Sequence, residues 1–309
     1  MLQSMLKVPE GKKIRVLIDT DAACEADDPF AIVHALLTPK FDVCGILAEQ
    51  FGTERNAYST RESYDEIQVI LQAMGISHVP VYMGAGAAMK SPDDWEDNEA
   101  SRFLVEEAMR DCERPLFVLC QGALTNVAIA IRMNPAICSR MTVLWIGGFP
   151  YDKTSFDMSA TVREFNAGND VLAANTVLFS GVRLWQIPMN VYTTMRVSLA
   201  ELVDKVGSCG RIGRHLVDQM IAYNNTTWAF WTQGENWSLG DSPVVGLAMQ
   251  PRCGTYVDQP AQAIGPDTRY LSDQTGPVIR VYTSIDSRFI LEDMFAKLRL
   301  FATLENQNE

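Results

Sequence analysis

The sequence predicts an α/β fold: an open, mostly parallel central sheet with helices on both faces. Three observations predict it. Apolar runs of five or six residues alternate with helical stretches of about ten or more between Ile14 and Leu300, the rhythm of strands joined by crossover helices. The runs are apolar throughout, as strands are when helices bury both of their faces. The 309 residues are 47% hydrophobic and 21% charged, which supplies a large core and is not the composition of a disordered chain.

Each element follows in order. Ile14–Ile18 is the first strand and runs into Asp19-Thr20-Asp21. Pro29–Leu37 has helical spacing, with Phe30, Ile32, Val33, Leu36 and Leu37 apolar. Pro29 suits a first turn, and Asp27 or Asp28 is expected to cap it. Phe41–Leu47 reads as a strand, Asn56–Met74 as a long amphipathic helix, His78–Met83 as a strand and Glu99–Cys112 as a helix. Pro115–Cys120, Met141–Ile146 and Arg183–Ile187 are strands, separated by helices over Leu124–Met133 and Asp170–Ser180. Ser198–Trp231 reads as helical but irregular, and Asp241–Met249 as a helix start. Tyr256–Gln259, Tyr270 and Val278–Thr283 suit late, antiparallel strands before a closing helix over Arg288–Leu300. No repeat, low-complexity tract or linker interrupts residues 1–309, which are read as one domain.

A net charge of −12 argues against a nucleic-acid or anionic-membrane surface, since both call for clustered Lys and Arg. It suits a protein that collects cations. Met1–Lys13 carries no apolar leader-like stretch, and no run of about 18 apolar residues is present to span a bilayer. Seven scattered cysteines without a Cys-x-x-Cys pair read as reduced thiols in a cytoplasmic protein.

Ligands of open parallel sheets bind beyond the carboxyl ends of the strands, and four features fall at strand ends or helix starts. The first, Asp19 to Asp28, holds five acidic residues in ten positions. A solvated turn with helix caps explains one or two of them. Carboxylates delivered together by an apolar strand instead suit a hard divalent ion with oxygen ligands. An EF-hand loop does not fit, because Cys24 stands where its glycine belongs. The second is Gln121-Gly122-Ala123-Leu124-Thr125-Asn126. The third is Arg163-Glu164-Phe165-Asn166, a carboxylate and an amide that suit hydroxyl recognition. The fourth is Gly240-Asp241-Ser242-Pro243, preceded by Trp228, Trp231 and Trp237, which are either a stacking surface or core. Gly84-Ala85-Gly86-Ala87-Ala88-Met89 lacks the third glycine of a dinucleotide-binding fingerprint.

Together these elements resemble the inosine–uridine-preferring nucleoside hydrolase family over nearly the whole chain. The resemblance includes Leu124-Thr125-Asn126-Val127-Ala128, Ile146-Gly147-Gly148, Glu164-Phe165-Asn166 and Ile285-Asp286. It implies a nucleoside hydrolase-like, Rossmann-like sheet, bound Ca²⁺, and hydrolysis of ribonucleosides to ribose and free base, with a role in purine or pyrimidine salvage. Position by position, it implies that Asp21, Asp28, Asp241 and the Gln121 carbonyl hold calcium. Asp21 would also be the general base that activates the metal-held water. Asp27, Glu164 and Asn166 would bind ribose hydroxyls, with Asp19 in support. Trp237 is expected on the substrate side through the Trp228–Trp237 segment. A homo-oligomer, dimer or tetramer, is implied as well.

The chain departs from the family pattern in four places. Its acidic loop, Ala22-Ala23-Cys24-Glu25-Ala26, is two residues longer. Gly52 stands near a sugar-binding Asn, for which Glu49, Gln50 or Asn56 are the available replacements, and Met158 stands near another. Gly240 stands where many relatives have His before the last aspartate, and none of His34, His78 and His215 falls in a matching segment. Leaving-group help is then open among Tyr223, stacking on Trp228, Trp231 or Trp237, and solvent. Two alternative functions are carried: a calcium-dependent nucleoside- or sugar-binding protein with lost or weak activity, and a hydrolase of another N- or O-glycoside.

Overall fold

The computed structural model describes residues 6–152 and 163–305, so Met158 lies outside the described residues. Ten strands are present among them: β1 (Ile14–Thr20), β2 (Phe41–Ala48), β3 (Val81–Met83), β4 (Leu116–Cys120), β5 (Met141–Ile146), β6 (Arg183–Ile187), β7 (Arg196–Ser198), β8 (Asn236–Ser238), β9 (Gly254–Ile264) and β10 (Tyr270–Ile285). Eight form one sheet in the order β3-β2-β1-β4-β5-β6-β10-β9. Every neighbouring pair is parallel except β10 with β9. The expected mostly parallel α/β sheet with a late antiparallel pair is therefore the observed one.

Helices cover both faces. Phe30, Ile32 and Val33 of helix Asp28–Leu36 pack on one face, with Val244, Val245 and Leu247 of Ser242–Met249 and Ile290, Phe295 and Leu298 of Ser287–Glu305. Leu104, Val127, Ile129 and Val177 pack on the other. Even positions of β1 (Val16, Ile18) join the first cluster and Leu17 the second, the two-residue period of a strand buried on both sides.

Strand order reverses between β1 and β4: β2 and β3 continue to one side, β5 and β6 to the other. The carboxyl ends of β1 and β4 thus flank the topological switch point, where open sheets leave a crevice. Asp19 to Asp21 and Gln121-Gly122 lie there.

Several expected bounds shift. The third strand shrinks to Val81–Met83, because Pro80 has no N–H to pair and offers only its carbonyl, to Ile46. The Ser198–Trp231 region resolves into helices Leu199–Lys205 and Gly210–Asn224 plus a short 3-10 turn. This excursion is bracketed by the antiparallel β7–β8 pair, with Val197 opposite Trp237.

Candidate active site

The expectation that Asp27 or Asp28 caps the helix Asp28–Leu36 is corrected by their side chains. Asp27 occupies the cap position, yet no helix N–H bonds its side chain. Its Oδ2 instead accepts from Gly240 N at 2.9 Å, 213 residues away. Asp28 accepts from Thr20 Oγ1 at 2.5 Å. Asp241 likewise sits at the start of Ser242–Met249 without capping it. Two helix N-termini therefore aim at one place, where their positive ends partly offset negative charge.

Carboxylate oxygens of Asp27, Asp28 and Asp241 all lie within 4.8 Å of one another. Asp21 belongs to the same cluster, for its charge interacts with Asp28 and Asp241. Burial pushes all four carboxyls up from the ordinary range. Neighbouring acid charges push Asp21, Asp27 and Asp241 further, while hydrogen bonds from Thr20 and Asp241 restrain Asp28. Among the described residues no Lys, Arg or His forms an ion pair with any of the four. Buried like charges are this costly unless a cation joins them, so the donor set fits a hard divalent metal. Nearby in sequence, both amide atoms of Gln121 and the hydroxyl of Ser242 are buried without a partner, as polar groups are when a ligand completes the site.

The Gln121-Gly122 turn is built around Asp21: a Cβ at Gly122 would collide with the Asp21 carboxylate, so only glycine permits the approach. The Gln121 carbonyl accepts from Asn166 Nδ2 at 2.8 Å, and the same nitrogen donates to Ile146 O at 2.9 Å. Asn166 thus ties the ends of β4 and β5, leaving its Oδ1 for other partners. Glu164 is buried and caps its short helix through Ala167 N at 2.8 Å, and its other oxygen accepts from the Tyr192 hydroxyl at 3.0 Å. Its carboxyl is raised by burial against those bonds. At Gly240 a Cβ would stand 3.2 Å from Asp27 Oδ2 and 3.3 Å from the Tyr192 ring, too tight for a histidine without rearrangement. His34 and His215 pair with Asp293 and Glu66 instead.

A second, fully buried acidic layer underlies the first. Asp19 accepts from Asn126 Nδ2 at 2.9 Å, Glu49 from Asn126 N at 2.9 Å, and Asp170 from Thr125 Oγ1 at 3.0 Å. Burial raises the Asp19 carboxyl to about 7. Leu124-Thr125-Asn126 is therefore a clamp on supporting carboxylates. Gln50 is also locked inside, on Thr125 Oγ1, and Asn56 caps Tyr58 N. Glu49, Gln50 and Asn56 thus spend their side chains on the scaffold.

The tryptophans divide. Trp237 is 1% exposed, packed edge-on against Tyr223 and Trp231, so in this structure it backs the aromatic segment rather than facing a ligand. Trp228 and Trp231 are 53% and 39% exposed. Trp231 donates to Glu25, whose carboxyl is raised by burial to about 7 against the Arg55 charge, with Asp28 adding to the rise. Glu25, Arg55 and Tyr192 are site-wall residues that sequence reasoning did not assign. The extra length of the acidic loop was the one signal for Glu25.

Known proteins share this fold. The chain is 23% identical over 236 residues to uridine nucleosidase 1 of Arabidopsis thaliana, covering 69% of this chain and 67% of that protein. It is 24% identical over 259 residues to the pyrimidine-specific ribonucleoside hydrolase RihB of Escherichia coli (strain SE11), covering 75% and 76%. The fold superposes on a purine-preferring ribonucleoside hydrolase from Gardnerella vaginalis with a TM-score of 0.75 at 20% identity, covering 94% of this chain and 99% of that one. Residues 16–290 match the inosine-uridine preferring nucleoside hydrolases, and the chain belongs to that family of glycosidase-class hydrolases, whose members use a metal ion.

Proposed function

We propose that the protein cleaves the N-glycosidic bond of ribonucleosides to ribose and free base, with Ca²⁺ held by Asp21, Asp28, Asp241 and the Gln121 carbonyl. One observation carries this reading: at the switch point of the sheet the carboxylates of Asp27, Asp28 and Asp241 converge, with Asp21 interacting beside them, and among the described residues no cationic side chain pairs with them. When bound, calcium supplies the charge that lets these acids ionise together and orients the sugar hydroxyls. Asp21 accepts the proton of the attacking water as general base. Asp27, with one oxygen fixed by Gly240 N, offers the other to a ribose hydroxyl, and Asn166 Oδ1 offers a second acceptor. Glu164 takes part in ribose binding alongside its capping role. The remaining carboxylates favour the positive charge that grows at C1′ as the base departs. Seven unpaired cysteines suit a cytoplasmic setting, and no described helix is long and apolar enough to cross a membrane. A dimer or tetramer is carried from the family resemblance and is checked by light scattering.

The test is release of free ribose from a purine and pyrimidine ribonucleoside panel, with and without EDTA, for the unmutated protein and Asp21→Asn. The amide keeps the volume and one ligand oxygen but cannot take a proton. Turnover should be calcium-dependent and fall by ~10²–10⁴-fold in the variant. Equal turnover removes Asp21 from the mechanism. Calcium binding without any turnover favours the binding-protein reading.

A further inference from the structure

The hairpin of β9 and β10 turns through Gly265-Pro266-Asp267-Thr268-Arg269. Gly265 N donates to the Arg269 carbonyl and Thr268 N to the Gly265 carbonyl, each at 2.8 Å, which closes a three-residue loop over Pro266, Asp267 and Thr268. Such loops end on a residue in the left-handed region, and Pro-Asp-Gly is the sequence that suits them. Here threonine stands in the place of that glycine, with a φ of 64°. A β-branched side chain is a steric outlier there. Among the described residues Lys7 is the one other non-glycine with positive φ.

The hydroxyl accounts for the threonine. Thr268 is buried, and its Oγ1 accepts from Glu164 N at 2.8 Å while donating to the Asp267 carbonyl at 2.6 Å. Backbone strain of this kind persists where the surroundings over-determine it, and it gathers at functional sites. The loop is anchored on both flanks. Asn175 of helix Val171–Phe179 bonds Ile264 through both amide atoms, at 2.8 and 2.9 Å. The Tyr270 hydroxyl accepts from Gln186 Nε2 at 2.7 Å, and the same nitrogen donates to the Gly147 carbonyl at 2.9 Å, just past β5. A rigid hairpin tip therefore presents one acceptor to the main chain of a site residue 104 positions earlier. Ala167 N and the Tyr192 hydroxyl then hold the carboxylate of that residue, Glu164.

We propose that Thr268 is a positioning residue for sugar recognition: its hydroxyl fixes the Glu164 main chain and so aims the Glu164 carboxylate at the ribose. It touches no substrate and moves no proton. This inference rests on the nucleoside-hydrolysis reading, in which Glu164 takes part in ribose binding.

The experiment sets Thr268→Gly against Thr268→Ser. Glycine removes the acceptor but fits the positive φ better than threonine, so a residue that served the turn alone would be replaced by it without loss. Serine keeps the acceptor. Steady-state kinetics on inosine and uridine with calcium should show kcat/KM about 10-fold lower for Thr268→Gly, chiefly through KM, since Asp21 and the metal ligands are untouched. Thr268→Ser should stay within threefold of the unmutated protein. In a Glu164→Ala background Thr268→Gly should cost less than threefold, because the two changes act through one group. Glycine as active as threonine, or the same tenfold loss in both backgrounds, overturns the proposal. An unmutated protein inactive on every ribonucleoside refutes the function instead. Hydrogen exchange of the amides of residues 164–168, read by mass spectrometry, then decides the inference separately: it should quicken in Thr268→Gly and not in Thr268→Ser, and unchanged exchange in the glycine variant overturns it.

Discussion

Replacing Asp241 by Asn should invert the stability order of the two proteins between chelator and calcium. In the metal-free state the Asp241 carboxyl is buried and raised by Asp27, Asp28 and Asp21, so its removal relieves repulsion. Relief that changes the folding equilibrium tenfold is worth ~1.4 kcal/mol. For 309 residues the entropy of unfolding is roughly 0.65 kcal/mol/K, so the variant should melt about 2 °C higher in EDTA. Calcium at a hundred times its Kd stabilises a folded protein by about 2.7 kcal/mol, or roughly 4 °C here. The unmutated protein should show that shift and the variant little of it at the same concentration. Differential scanning calorimetry in EDTA and in calcium reads both. The pH dependence has a defined sign. Carboxyls raised in the folded state, such as Asp19 and Glu25 at about 7, contribute stability that is complete below the unfolded value. It is lost as pH rises through the folded one. Metal-free protein should therefore melt higher at pH 5 than at pH 8, with the variant's advantage larger at pH 8. A variant less stable in EDTA, together with equal calcium shifts in both proteins, would refute the reasoning.

Two further outcomes follow from the geometry. His34 is buried against Asp293 and held down to about 4 by burial, so it donates as a neutral ring; His215 is raised by its bond to Glu66. NMR titration should find His34 neutral until about pH 4 and His215 protonating above 6.5; a His34 midpoint near 6.5 would show that the pocket admits water. Gly122→Ala drives a methyl into the Asp21 carboxylate and should cost about 10²-fold in kcat/KM through displacement of the base, with a reduced calcium shift in calorimetry; unchanged kinetics would mean that Asp21 is free to move.

Local order was legible where one segment sufficed. Met141–Ile146 and Arg183–Ile187 have the ends that the sequence predicts, because Gly147 and Pro188 close two short, largely apolar runs. β7 and β8, at three residues each, carry no period to read; they exist because Val197 and Trp237 pair across the intervening helices. The acidic cluster was legible as a cluster, since five carboxylates at the end of an apolar strand have few other uses. The individual tasks of its members were not, because a sequence shows that Asp27 stands at a helix start but not that Gly240 competes for its oxygen.

By itself the sequence determined the layered sheet, the strand ends that carry the acids, and the family pattern on which the chemistry rests. These depend on short-range periodicity and on residue types a few positions apart. Tertiary structure decided which carboxylates share a centre and that Trp237 lies behind Trp231. It also decided that Arg55 joins Cys24, 31 residues back, to Tyr223, 168 residues on. Those contacts arise only when the crossovers bring distant loops to one edge of the sheet, and the energy of burying a charge depends on what surrounds it there rather than on its neighbours in the chain.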